Sequence, residues 1–265
     1  YGWRGTFNIL GLAGAAFTVP LLLLRDERHG GDSHERGAPF RQQVRSVFAA
    51  VHGSAPLRQT MVGFVLIHFA FASLAFVQLW LVRERGLDGG TIAKQMGVLQ
   101  ILFGTLGAVL GGVASDRFAR HFKGGHASVL ALMVLVMAPL MLAYRFAPAG
   151  SALFYIGMCA GFVLPLATYG PANALIQALT PAHMRSTVTG ATMMLINVFA
   201  VAIGNLAVGA VSDRLTASGS AVGLTVALVA TDVLVAGSLW FFWRASRSGD
   251  AHLADAVDKN AVPVH

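Results

Sequence analysis

The chain has 265 residues, of which 55% are hydrophobic and 12% charged, and its mean hydropathy is +0.66. That balance excludes a soluble globular domain of this length and indicates a membrane protein. The net charge of +7 does not point to nucleic acid, because the basic residues sit between apolar runs and not on one folded face. The single cysteine, Cys159, lies inside an apolar run and permits no intrachain disulfide.

Seven apolar runs follow one another, at roughly 5–24, 60–82, 95–115, 127–146, 151–176, 187–211 and 221–243. Each is long enough to cross a hydrocarbon core of about 30 Å as a helix. The first is too long for a signal peptide and is followed by charged residues instead of a small-residue cleavage site. Because it begins almost at Tyr1, the chain is expected to be part of a longer protein. Residues 25–59 are rich in Arg, Gly, His and Asp and read as a polar linker. Within it, Phe40, Val44, Val47, Phe48 and Val51 recur at helical spacing, as in a helix lying along the membrane surface. The tail 244–265 reads as disordered.

Thirteen of the 19 Lys and Arg residues fall on one side of this arrangement, among them Arg58, Arg117, Arg120, Lys123, Arg185, Arg244 and Arg247; Arg145 is counted with the six on the other side. The positive-inside rule then puts the 25–59 linker and the C-terminus in the cytoplasm of a multi-pass inner (plasma) membrane protein. Trp3, Trp80, Trp240 and Trp243 all fall near the ends of runs, where amphipathic rings settle at headgroup depth.

The run at 95–115 is the most informative. Met96 to Ala114 carry no charge, and Gly107 and Gly111 form a small-xxx-small ridge that permits close approach by another helix. The run ends in Gly112-Val-Ala-Ser-Asp116-Arg117-Phe-Ala-Arg120. This loop resembles the signature that follows the eighth helix in the major facilitator superfamily of secondary transporters, although Ala119 stands where that family usually has Gly. Gly2-Trp3-Arg4 before the first run is similar to the family's entry into its sixth helix. The segment Ala174 to Arg185 with Gly209-x-x-x-Asp213 resembles the spinster-like branch.

The resemblance implies an all-α polytopic fold. Residues 1–24 would be the sixth helix, 25–59 the central loop, and 60–243 a six-helix C-terminal domain whose partner is the missing N-terminal helices. The six residues Gly112 to Arg117 recur as Gly209-Ala-Val-Ser-Asp213-Arg214, three helices later, which fits a fold built from inverted three-helix repeats. The resemblance also implies a conformational latch of Gly112, Asp116, Arg117 and Arg120, with Asp116 capping a neighbouring helix. Substrate would be a small organic solute, an organic anion or lipid-like molecule if the spinster-like branch applies, moved by alternating access with an ion or proton gradient. A non-transporting receptor or scaffold on the same fold is the alternative.

Polar residues inside spans are costly and mark functional sites. His68 stands mid-run and can bind substrate or a proton. Tyr169, Asn173 and Gln177 form one stripe at i, i+4 and i+8 on a run interrupted by Pro165 and Pro171, so they are expected to face protein or a cavity, together with His68. Gln100 and Asn197 are weaker candidates for the substrate or proton pathway. Asp232 is the only acid inside a span, and it suits either a proton site or a bond to a neighbouring hydroxyl. All three lysines lie outside the spans, which excludes a retinal Schiff base. No His-Glu-x-x-His, no Gly-x-Ser-x-Gly and no pair of intramembrane acids occurs, so the chain does not read as an enzyme, and no cofactor or metal is implied.

Overall fold

The computed structural model describes residues 3–18 and 39–260, with side chains described as far as Ser248. Among these residues every regular element is helical. Helix α1 (Trp3–Thr18) takes up most of the first apolar run; the rest of that run and the linker through residue 38 lie outside the described residues. It belongs to a unit ending at Gln43, and the unit from Val44 onward holds the remainder of the described chain. Helix α2 (Phe40–Gly53) occupies the amphipathic stretch, and its Val47 and Val51 pack against the core of that second unit while Phe48 stays exposed. The apolar stripe is thus partly spent on protein contact.

Six helical segments are long and apolar enough to cross a membrane: Ala55–Arg83, Gly89–His121, Gly125–Ala143, Ala152–Ala178, Ala182–Ala217 and Gly223–Ser248. The first is two helices, α3 (Ala55–Ile67) and α4 (Phe69–Arg83), meeting at His68. It starts five residues before the apolar run does, because Ser54 caps it by accepting from the Leu57 amide and a proline stands in its first turn. Helix α5 (Gly89–Phe118) is capped by Asp88, which accepts from the Thr91 amide at 2.8 Å. That bond holds the Asp88 carboxyl below the usual carboxylate range, so the cap survives to lower pH than an ordinary aspartate would allow. Helices α6 (Gly125–Ala143) and α7 (Ala152–Ala178) follow, the second capped by Ser151. The fifth span comprises α8 (Arg185–Leu195), a π-helical stretch Ile196–Ile203 and α9 (Gly204–Ala217). Helix α10 (Gly223–Asn260) continues well past Arg244, where the sequence suggested that order ends.

The glycine ridge does what its spacing predicts. A Cβ on Gly107 would lie 2.7 Å from the Val163 carbonyl oxygen, and one on Gly111 would lie 2.3 Å from that of Ala167, so α5 and α7 touch backbone to backbone. Pro171 lacks the amide that would bond the Ala167 carbonyl in a regular helix, which leaves that oxygen turned toward Gly111. Two apolar clusters fill the bundle. One joins Phe64, Leu130, Leu164, Ile176 and Phe242, and the other joins Trp80, Tyr144, Phe154, Phe162 and Leu228.

Candidate functional site

The break at His68 has a local cause. Its Nδ1 donates to the Phe64 carbonyl at 2.7 Å, taking the acceptor that its own amide would use in an α-helix; that amide bonds Val65 instead. A carbonyl can only accept, so Nδ1 carries a proton, and in the neutral ring Nε2 is the acceptor. Nε2 is buried without a partner among the described residues. Phe64, Phe71 and Tyr169 surround the imidazole at ring distances of 4.5, 5.4 and 6.0 Å.

The expected stripe on α7 divides by depth. Tyr169 is 43% exposed and Gln177 is exposed, whereas Asn173 is half-buried, its amide donating to the Tyr169 carbonyl and its Oδ1 left without a partner. His68, at 2% exposure, is buried and in tilted ring contact with the exposed Tyr169. The rings of Phe64, Phe71 and Tyr169 account for that burial. The Tyr169 hydroxyl also points to the Met193 sulfur at 3.4 Å, and the Met193 carbonyl accepts from the exposed Asn197 amide. Four of the six pathway candidates, His68, Tyr169, Asn173 and Asn197, are therefore linked, and the last lies in the π-helical stretch. Non-α backbone at membrane depth concentrates where function is.

Gln100 and Asp232 are elsewhere. Gln100 is exposed on α5. Asp232 is buried and accepts from Arg145 through both oxygens, at 2.7 and 3.3 Å, while Arg145 also donates to Ser73. The guanidinium lies over the rings of Trp80, 5.0 Å away, and Tyr144, 4.4 Å away. Nearby, Glu84 accepts from the Leu224 and Thr225 amides and the Thr225 hydroxyl, capping α10, and the Trp80 indole donates to that same hydroxyl. Arg85 also lies over Trp80 and donates to the Ala147 carbonyl. Trp80 is fully buried against protein here.

At the other end of α5, Asp116, Arg117 and Arg120 are exposed and Gly112 is half-buried. Among the described residues the Asp116 side chain bonds no helix terminus. The buried neighbour Ser115 makes the local tie, to His126 Nδ1 at 2.8 Å at the start of α6.

Residues 1–204 match the family profile of the Major Facilitator Superfamily. The chain belongs to the Major Facilitator Superfamily. It is similar to an MFS-type efflux pump of Mycolicibacterium smegmatis, with 25% identity over 258 residues covering 92% of this chain and 56% of that protein, so it spans about half the length of this curated relative. Two crystal structures of a bacterial homologue of the human lysosomal transporter Spinster share the fold. The inward-facing unoccupied form gives a TM-score of 0.66 at 20% identity over 93% of this chain and 59% of that one, and the inward-facing occupied form gives 0.66 at 19% over 94% and 58%.

Within this superfamily member, sequence reasoning missed Arg145, which reads as a loop cation at the end of a run but folds back into the bundle. It also missed Glu84. The one signal available was Asp232, an acid inside a span that calls for a partner, with nothing in the sequence to name Arg145 as that partner. The family membership agrees with the all-helical multi-pass reading and with the transport vocabulary attached to it.

Proposed function

We propose that this bundle is half of a secondary transporter that moves a small organic solute by alternating access, its second wall being supplied by the N-terminal helices of the same protein. The observation that carries this reading is the contact of the exposed Tyr169 ring with the buried His68, placed where α3 and α4 break and on a helix carrying two prolines. Tyr169, Asn173 and Asn197 meet the solute, and His68 Nε2 takes a proton or a solute donor once the tyrosine ring swings away. Asp116, Arg117 and Arg120, exposed and without side-chain partners among the described residues, are the latch that engages the other half in one of the two states. The efflux-pump relative supports export as the direction. The count of basic residues supports a cytoplasmic C-terminus, and Lys123→Cys in a Cys159→Ala background should then resist impermeant thiol reagents added to intact cells.

The test is export from proteoliposomes holding the full-length protein and loaded with carboxyfluorescein or a fluorescent lysolipid, with and without a proton gradient. Tyr169→Ala and Asn173→Ala should lower the rate about tenfold, and His68→Gln should remove its dependence on the gradient. Wild-type behaviour in all three variants would overturn the site.

A further inference from the structure

The α10 segment around residue 244 presents two different faces. Phe242 and Ala245 are buried in the bundle, whereas Trp240, 55% exposed, and Trp243 point outward with their rings 5.3 Å apart. Arg244 lies over the Trp240 ring at 5.7 Å and Arg247 over the Trp243 ring at 4.0 Å. Neither guanidinium has an ion pair or hydrogen bond among the described residues; the ion pair present there is Arg145 with Asp232. An indole covering one face of a guanidinium orients it and leaves its N–H edge available for a bidentate acceptor.

A second element brings charge to the same place. Gly124 is pressed on Ser246, since a Cβ there would lie 2.4 Å from the Ser246 Cβ, and it is preceded directly by the exposed Lys123. Lys123 therefore adds a third cation at this end of α10, and none of the three has a carboxylate among its described partners. They stand at the close of the span Gly223–Ser248, where hydrocarbon gives way to headgroups.

We infer that Trp240, Trp243, Arg244, Arg247 and Lys123 form a site for an acidic phospholipid, the two guanidiniums gripping the phosphate and the indoles lying against the glycerol and upper acyl chains. A zwitterionic headgroup carries its own cation and satisfies the cluster less well. A lipid also offers acyl chains to the exposed rings, which dissolved phosphate does not. The inference is independent of the solute pathway and of transport.

The indoles supply the reporter. The purified protein is placed in nanodiscs of equal phosphatidylglycerol and phosphatidylcholine, with bromine on one lipid at a time, and tryptophan quenching is read. Brominated phosphatidylglycerol should quench well beyond its mole fraction, and the excess should vanish when Trp240 and Trp243 are both changed to Phe. Arg244→Gln and Arg247→Gln should each reduce the preference about fivefold. Raising salt should weaken it in the wild-type protein, and inorganic phosphate at matched ionic strength should do no more than salt does. Equal quenching by the two lipids, or an excess that persists in the double Gln variant, overturns the inference. So does competition by inorganic phosphate beyond the salt effect, because the occupant would then be the free ion.

Discussion

The two ends of the bundle treat charge in opposite ways. At the end that holds Glu84, some charged groups enter the bundle and are bonded there, Arg145 to Asp232 and Ser73, Glu84 to the start of α10 and Arg85 to the Ala147 carbonyl, while Arg83, Lys94 and Arg214 stay exposed. At the end that holds Asp116, Asp116, Arg117 and Arg120 stand exposed, and a hydrogen bond between Ser115 and His126 joins α5 to α6. Depth explains the contrast. Asp232 lies ten residues into α10, where an unpaired carboxylate would be surrounded by hydrocarbon, while Asp116 and Arg120 close a span and keep access to water. The bonded charges tie helices of this bundle to one another, whereas Asp116, Arg117 and Arg120 have no side-chain partner among the described residues.

The sharpest break of this contrast is Asp232→Ala. It strands a buried guanidinium, and about 3–5 kcal/mol of stability should be lost in a detergent unfolding assay. Arg145→Met together with Asp232→Leu should recover most of that, because removing both charges leaves no uncompensated ion. If the double variant is as unstable as the single one, the pair is not what holds this end. Next in size, Gly111→Ala forces a methyl into the Ala167 carbonyl and should cost about 1–3 kcal/mol by overpacking. The adjacent Gly112→Ala meets open space and should stay within about 0.5 kcal/mol. Glu84→Ala removes the α10 cap and should cost about 1–2 kcal/mol, seen as a lower melting temperature. Smallest of all, Asp116→Asn should leave the melting temperature unchanged within error while slowing transport by the full-length protein, since its role is to bias two states. A large loss of stability there would show that the free end is not free.

How much of this was legible in the sequence depended on how local the cause was. The Gly107 and Gly111 ridge was readable because both residues lie on one helix at a fixed spacing, and its only unknown was the partner. The Ser151 and Asp88 caps are likewise short-range. The ion pair was not readable, since Arg145 and Asp232 are 87 residues apart and an arginine at the end of an apolar run looks like a topological marker. The break at His68 depends on a side chain competing with its own amide, which apolar periodicity does not register. The same holds for the π-helical stretch, whose residues Ile196 to Ile203 are as apolar as any α-helix. In the candidate site the contact between His68 and Tyr169 was not readable, because the two rings meet only once α7 is set against α3.

The ion pair has a consequence for the order in which the protein is made. Spans are synthesised from the N-terminus, so Arg145 and Ser73 exist, and the first five spans of the bundle have been made, before Asp232 leaves the ribosome. Until then the guanidinium has its hydroxyl and its two aromatic faces but no counter-ion, and it is held off from the hydrocarbon only by water drawn in around it. The Glu84 carboxylate waits in the same way for amides 140 and 141 residues downstream. Arrival of α10 discharges both at one stroke. The last helix is therefore the keystone of assembly, and a nascent chain stalled before Gly223 should be the form that membrane quality control recognises and removes.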